Sequence, residues 1–309
     1  MPTVLVLGGD GMLGHLVARV LTRSPGLRVE VTTRSGMSGR RFEVEQGRDR
    51  LAALLRECRA HYVVNCIGIV SARIDPARPG SVRQAVAVNG LFPSDLSAVA
   101  ADTGARVLHV STDGVFSGRA AIPYVEDAPT DADDVYGWTK TVGEVTSPHV
   151  LNVRCSLVGP DPLGRRGLLE WFLSRADGNT VDGFVDQQWN GVTSRQFAEL
   201  CATIIDRGCF DVLRQEGAVH HFCPNQALSK YQLLSLFREV WTKDVTVRPV
   251  TSRSGPVHRV LGTVRRTLPA LFGRDRDMRD ALEALRALGD ADGTMDTRVH
   301  EHDSARVAP

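Results

Sequence analysis

The feature that most constrains this chain is its opening, where a short apolar run, Val4-Leu5-Val6-Leu7, is followed at once by glycines at positions 8, 11 and 14 and then by a helical pattern. Glycines allow a sharp turn and a close backbone approach, and the N-terminus of the following helix presents unpaired N–H groups and a positive dipole end. Such a turn is either a bare strand-to-helix corner or a cradle for a diphosphate. Its place directly after the first strand of a βαβ pattern favours the cradle, with Gly8, Asp10, Gly11, Met12, Leu13 and Gly14 facing a dinucleotide.

The same alternation continues through the first half. Strands are expected at Thr3–Leu7, Arg28–Thr33, Tyr62–Cys66, Arg106–Ser111 and Val150–Arg154, with helices at Leu13–Thr22, Leu51–Cys58, Val82–Ala101 and Tyr136–Val145. Helices long enough to return the chain to the same edge imply an α/β fold with a doubly wound, Rossmann-like parallel sheet. Beyond Arg154 the rhythm changes. The Gly/Pro/Asp/Arg-rich loop from Gly159 to Gly167 precedes a helix near Leu168–Ser174, then come helices Ser194–Arg207 and Ser229–Trp241, strand Val245–Val250 and the stretch Val257–Leu288. This divides the chain into a dinucleotide-binding domain, 1–158 with a return of 185–215, and a smaller C-terminal α/β substrate lobe, 159–184 and 216–288. The polar stretch 289–309 reads as a flexible tail with solvated histidines.

Composition narrows the function classes. A net charge of +1 with mixed signs gives no basic field for nucleic acid or an anionic membrane. No apolar run approaches the roughly 20 residues of a membrane helix, and Met1 leads straight into the first strand without a signal-peptide pattern, so a cytoplasmic protein is expected. The six cysteines show no CxxC and no histidine at ligand spacing, which predicts reduced thiols, no disulfide and no metal.

Two local features carry chemistry. An NAD site normally closes the second strand with an acidic residue that bonds the adenosine ribose, but here the strand ends Thr32-Thr33-Arg34-Ser35. A guanidinium with hydroxyls beside it suits a 2′-phosphate, so NADP(H) is preferred and NAD(H) is the alternative. Further on, Tyr136-Gly137-Trp138-Thr139-Lys140 places a phenol and an ammonium on one helix face. With four tyrosines and three lysines, a chance Y-x-x-x-K has odds of about one in twenty-five, so the pair gains its weight from the glycine turn. A phenol titrates near ~10, and a neighbouring ammonium should lower that value. Hydride arriving at a carbonyl builds charge on its oxygen; Tyr136 would quench it with a proton while Thr112 holds the same oxygen.

In order along the chain, the glycine triplet, Asn65-Cys66-Ile67-Gly68, Asn89, STDGVFSG from Ser111 to Gly118 and VYGWTKTVGE from Val135 to Glu144 resemble the extended short-chain dehydrogenases. The likeness is greatest to the dTDP-4-dehydrorhamnose reductase family of sugar-nucleotide reductases. It covers the first 160 residues or so, and implies a catalytic triad of Thr112, Tyr136 and Lys140, with Asn65, Cys66, Gly68 and Asn89 along the cofactor. Asp113, Arg154, Trp189 and Asn190 are the substrate candidates it suggests, Arg154 for phosphate and Trp189 for stacking. Each of the later ones has an alternative as a structural ion pair or a packed core indole. Val192, Leu157 and Ile69-Val70-Ser71 depart from the family pattern, and those departures bear on pocket shape and sugar choice.

The resemblance implies NADPH-dependent reduction of a 4-keto-6-deoxy nucleotide sugar, giving a building block for a polysaccharide, glycan or glycosylated natural product. An epimerase or dehydratase of the same fold, and a non-catalytic NADP-binding regulatory subunit, are the alternatives. Asp113 is the one carboxylate beside the threonine, whereas dehydratases commonly need more. A homodimer through the helices beside the tyrosine is the fold-level expectation.

Overall fold

The computed structural model describes residues 1–120, 123–161 and 167–290. The tail from 291 onward, with its two histidines, and positions 162–166 of the expected Gly159–Gly167 loop lie outside the described residues.

The strands are β1 (Thr3–Leu7), β2 (Arg28–Thr33), β3 (Arg40–Arg41), β4 (Tyr62–Asn65), β5 (Arg106–Thr112), β6 (Val150–Cys155), β7 (Leu157–Val158), β8 (Asn179–Phe184), β9 (Gln187–Trp189), β10 (Val192–Thr193), β11 (Val219–His221), β12 (Leu228–Ser229), β13 (Val245–Val250) and β14 (Val257–Arg259). The main helices are α1 (Gly14–Thr22), α2 (Gly47–Cys58), α3 (Pro79–Ala85), α4 (Phe92–Thr103), α5 (Val135–Val142), α6 (Leu168–Leu173), α7 (Ser194–Asp206), α8 (Phe210–Glu216), α9 (Lys230–Val240), α10 (Thr267–Phe272) and α11 (Met278–Asp290).

Seven strands form one parallel sheet in the order β11-β6-β5-β4-β1-β2-β3. Because β1 is buried on both faces, its run of apolar residues is continuous rather than alternating. Val4 and Val6 pack with Val17 of α1 and Phe197 and Ile204 of α7, while Leu5 and Leu7 pack on the other side with Leu54 of α2 and Leu96 of α4. The chain reverses its winding direction between β1 and β4. Such a switch opens a crevice beyond the C-terminal strand ends, which is where ligands bind in open α/β sheets.

The expected long helix Val82–Ala101 is broken into α3, a π-helical segment Val86–Leu91 and α4. Pro93 is the physical reason: it has no N–H, and its ring crowds the carbonyl four residues earlier, at Asn89. Gly143 closes against that carbonyl, where an added Cβ would lie 2.1 Å from Asn89 O. The break therefore lets the end of α5 pack closely on the Val86–Leu91 segment.

The smaller lobe holds the parallel pair β8–β13 and the three strands β12-β9-β14. Its core joins Phe172, Leu234, Phe237, Trp241 and Leu282, with Leu16 of α1 linking it to the large domain. Capping boxes at Thr193/Gln196 and Ser229/Gln232 start α7 and α9 where the polar-then-apolar pattern placed them. Residues 216 onward do not all belong to this lobe, as β11 pairs with β6 at the edge of the large sheet. That stretch is too short for periodicity to reveal its partner. All six cysteines are free thiols, and among the described residues no helix is long and apolar enough to cross a membrane.

Candidate active site

The glycine turn is built as a cradle. Gly8 adopts φ +81°, Gly11 N donates to Gly8 O at 3.0 Å, and a Cβ on Gly14 would stand 2.1 Å from that same oxygen. Among the described residues no side chain caps the N-terminus of α1, and Asp10 at the turn accepts from Ser38 at 3.3 Å. Met12 and Leu13 lead into the helix, Leu13 packing into the core beneath. Open N–H groups, a positive helix end and a floor without side chains fit a dinucleotide diphosphate.

Gly9, which the motif did not single out, packs against β2, where a Cβ would come within 2.2 Å of Val31 Cγ1. At the end of β2 the expected partition between hydroxyls and guanidinium changes. Thr32 Oγ1 accepts from Gly8 N, Thr33 Oγ1 from Gly36 N and Ser35 Oγ from Met37 N, so these hydroxyls hold turns rather than face a ligand. Arg34 is exposed and has no ion pair among the described residues, whereas Arg40 binds Glu30 and Arg41 binds Glu43.

Asn65 and Asn89 act as frames for the loop beyond β4. Asn65 bonds His109 Nδ1 and the Ile67 N–H, while Asn89 bonds both N–H and C=O of Ile69 and reaches Thr139 on α5. Gly68 sits against the Asn89 amide, and burial pushes the Cys66 thiol well up, leaving it unreactive.

Thr112, Asp113, Tyr136 and Lys140 converge at the C-terminal end of β5. Asp134 caps α5 by accepting from Gly137 N at 2.7 Å. Gly137 and Gly114 let the helix touch the turn after β5, since a Cβ on Gly137 would lie 2.2 Å from Gly114 O and one on Gly114 would press the Tyr136 ring at 3.1 Å. The Thr112 hydroxyl accepts from Gly114 N and donates to Asp113, and the Tyr136 ring lies against the same turn. Burial raises Asp113, with Arg259 the strongest opposing charge and the Thr112 hydroxyl donating to the carboxylate.

One electrostatic expectation is reversed. Burial pushes the Tyr136 phenol up to about 12, with Asp113 adding to the rise, and no cation is among the largest influences on it. Instead the Lys140 ammonium donates to Val110 O at 2.6 Å, and burial lowers it to about 8 against the pull of Glu144. In a buried pocket with no cation bonded to the phenol, desolvation of the phenolate prevails.

The later substrate candidates divide. Arg154 is a structural ion pair: it grips both oxygens of Glu144 at 2.7 and 2.6 Å, approaches His221 Nε2 at 3.3 Å and lies over the Phe116 ring. Ser111 and Glu144 complete this buried network, and His221 is held neutral by burial, down to about 4. Asn190 is a backbone clamp, bonding both N–H and C=O of Leu261 at 2.8 Å. The half-buried Trp189 indole packs on the small-lobe core and requires Gly191 beneath it. Arg259 of β14, which no motif marked, faces the Asp113 region; its signal is tertiary. A cavity of about 250 Å³ lined by Asn190, His221, Cys223, Phe272 and Arg274 touches none of Thr112, Tyr136 and Lys140.

Comparison with known proteins agrees with this arrangement. The family model described as RmlD substrate binding domain matches residues 2–259. A dTDP-4-keto-6-deoxy-D-glucose reductase of Streptomyces niveus is 31% identical over 280 residues, covering 88% of each chain. A dTDP-4-dehydrorhamnose reductase of Streptomyces griseus is 35% identical over 150 residues, an alignment that spans 48% of this chain and 46% of that protein. Among solved structures, a dTDP-4-dehydrorhamnose reductase of Bacillus anthracis in complex with NADP superposes with a TM-score of 0.73 at 15% identity, over 93% of this chain and 99% of that one, which speaks to the fold. Since the match runs unbroken from the glycine cradle through the Thr112–Lys140 cluster to the end of β14, the chain belongs to the RmlD substrate binding domain family.

Proposed function

We propose that this protein is an NADPH-dependent oxidoreductase that reduces the 4-keto group of a nucleotide-linked 6-deoxy sugar, on the pattern of the named reductases to which it is similar. The observation that carries this reading is the half-buried Tyr136 phenol ring, which meets the Thr112 hydroxyl at Gly114 in the crevice that also holds the glycine cradle. Reduced nicotinamide, when bound, supplies the hydride. The chain's own part is to place the carbonyl and quench its charge. A phenol near 12 remains protonated at neutral pH, and an alkoxide is the stronger base, so Tyr136 donates its proton downhill even without a depressed value. Thr112, held by Gly114 N, would turn its one proton from Asp113 to the same oxygen. Lys140, anchored on Val110 O, keeps a positive charge beneath the pocket up to about pH 8.

Arg34, exposed and without an ion pair among the described residues, supports NADP over NAD through the adenosine 2′-phosphate. Free thiols throughout suit a cytoplasmic enzyme, and the exposed apolar residues Leu91, Trp138 and Val142 beside the tyrosine helix support a homodimer. The division into a dinucleotide-binding domain and a substrate lobe is part of the same proposal.

The test is to incubate the purified protein with NADPH and dTDP-4-keto-6-deoxyglucose, with and without a 3,5-epimerase, and follow the reduced-nicotinamide absorbance. Stoichiometric loss of NADPH with a reduced sugar supports the reductase. Sugar conversion without NADPH loss points to an isomerase or dehydratase, and inactivity across a panel of keto sugars points to a regulatory subunit.

A further inference from the structure

On β5, shortly before Thr112, stands a buried histidine with no part in the proton transfer. His109 is in register with Asn65 of β4 and Asn152 of β6, and all three side chains are buried. We propose that His109 is a positioning residue for the cofactor: as a neutral imidazole with its proton on Nε2 it orients the Asn65 amide, which in turn holds the Ile67 backbone against Gly8 of the glycine cradle. The assignment rests on the reading above that this cradle takes NADPH.

The orientation follows from a donor that cannot change its role. A backbone N–H only donates, so the Asn65 atom that meets Ile67 N at 3.1 Å is the carbonyl Oδ1. That leaves the Asn65 NH2 at 3.0 Å from His109 Nδ1, and an NH2 group needs a bare nitrogen there. The imidazole proton therefore sits on Nε2. A proton on Nδ1, in the other tautomer or in the imidazolium, would set two donors against each other and pull the amide away from Ile67. On β6, Asn152 spends its NH2 on Val145 O and Ala218 O, so the atom it leaves buried and unpartnered is an acceptor, which suits a proton on His109 Nε2. Burial and the charge of Lys140 act in the same sense, holding the imidazole neutral.

The consequence lies at the cradle. A Cβ on Gly8 would stand 3.1 Å from Ile67 Cγ1 and 3.2 Å from Ile67 N, so the backbone that Asn65 anchors forms a wall of the glycine turn. Asn89 anchors the far end of the same loop by bonding both N–H and C=O of Ile69. Loss of the His109 acceptor would leave the Asn65 amide short of a partner and loosen the end of the loop beside Gly8, while the end held by Asn89 stays in place. The effect falls on the cofactor, not on the sugar.

The experiment measures NADPH affinity of the full chain by fluorescence titration in wild type, His109→Leu and His109→Asn, together with separate KM values for NADPH and the keto sugar. His109→Leu, which removes the acceptor, should weaken NADPH binding by about 10-fold, with KM for NADPH rising while KM for the sugar holds. His109→Asn, whose Oδ1 can stand in for Nδ1, should recover much of that loss. In wild type, nitrogen NMR should show a bare Nδ1 and a protonated Nε2 at neutral pH, a readout that does not depend on either variant folding. NADPH affinity equal to wild type in His109→Leu, an equal rise in both KM values, or a proton on Nδ1 overturns the assignment. Wild type that binds no NADPH removes the cofactor reading and the assignment with it, whereas NADPH binding without reduction of any keto sugar removes the reductase reading alone and leaves the affinity comparison to decide the role of His109.

Discussion

On the proposed cofactor side of the crevice, Gly8, Gly11 and Gly14 sit in one turn, and Tyr136 and Lys140 sit in one helical turn; on the proposed substrate side, Asp113, Trp189 and Arg259 arrive from three separate strands or turns. The first group is determined by short-range geometry, because a diphosphate cradle needs glycine where the backbone folds on itself, and a phenol and amine share a face only at helical spacing. The second is determined by packing. Residues that looked like ligand contacts there, Arg154 and Asn190, join strands and loops to one another, while the unmarked Arg259 faces the crevice with an unfilled donor. Local motifs thus locate chemistry, and tertiary partners decide which polar residues remain available for it.

The sharpest way to break this contrast is on the cofactor side. Tyr136→Phe should lower kcat by about 10²- to 10⁴-fold while NADPH affinity changes little, as followed by nicotinamide absorbance and by fluorescence titration. Equal turnover in that variant would remove the phenol from the mechanism. On the substrate side the largest effect should be structural. Arg154→Met leaves Glu144 buried without its cation and should cost about 3–5 kcal/mol in urea unfolding, whereas a folded variant with normal stability and a raised substrate KM would return Arg154 to the ligand site.

A smaller change is expected from Arg34→Ser, which should shift the NADPH/NADH preference in kcat/KM toward NADH by about tenfold, matching the loss of one exposed charge-assisted contact. An unchanged ratio would assign the cofactor choice elsewhere. The smallest effect concerns pH. Burial lowers His221 from 6.5 to about 4, so the folded chain binds fewer protons than the unfolded chain between those values. Its contribution is complete above pH 6.5 and is lost as pH falls toward 4, a decline on the order of 1–3 kcal/mol. Thermal unfolding at pH 7 and pH 5 should show a smaller pH-induced drop in His221→Gln than in wild type; identical drops would place the titration in other groups.

How far the sequence could be read follows from the same physics. The continuous apolar run of β1 and the spacing of the first-half helices announced a buried parallel sheet. The π-helical break before Pro93 escaped because its cause, crowding at the Asn89 carbonyl, is resolved by Gly143 of another helix. The Tyr136 electrostatics escaped for a similar reason. Helical spacing puts Lys140 on the same face, yet its ammonium finds Val110 O on the sheet, and burial then governs the phenol.

By itself, then, the order of residues determined the doubly wound sheet, the glycine turn and the shared helix that carries Tyr136 and Lys140, because each depends on contacts a few residues long or on the alternation of strand and helix. Only the tertiary structure decided the membership of β11 in the large sheet, the engagement of Arg154 and Asn190, and the approach of Arg259 to Asp113. Those outcomes depend on which distant groups satisfy a buried donor or acceptor, and that competition is settled only once the lobes have packed.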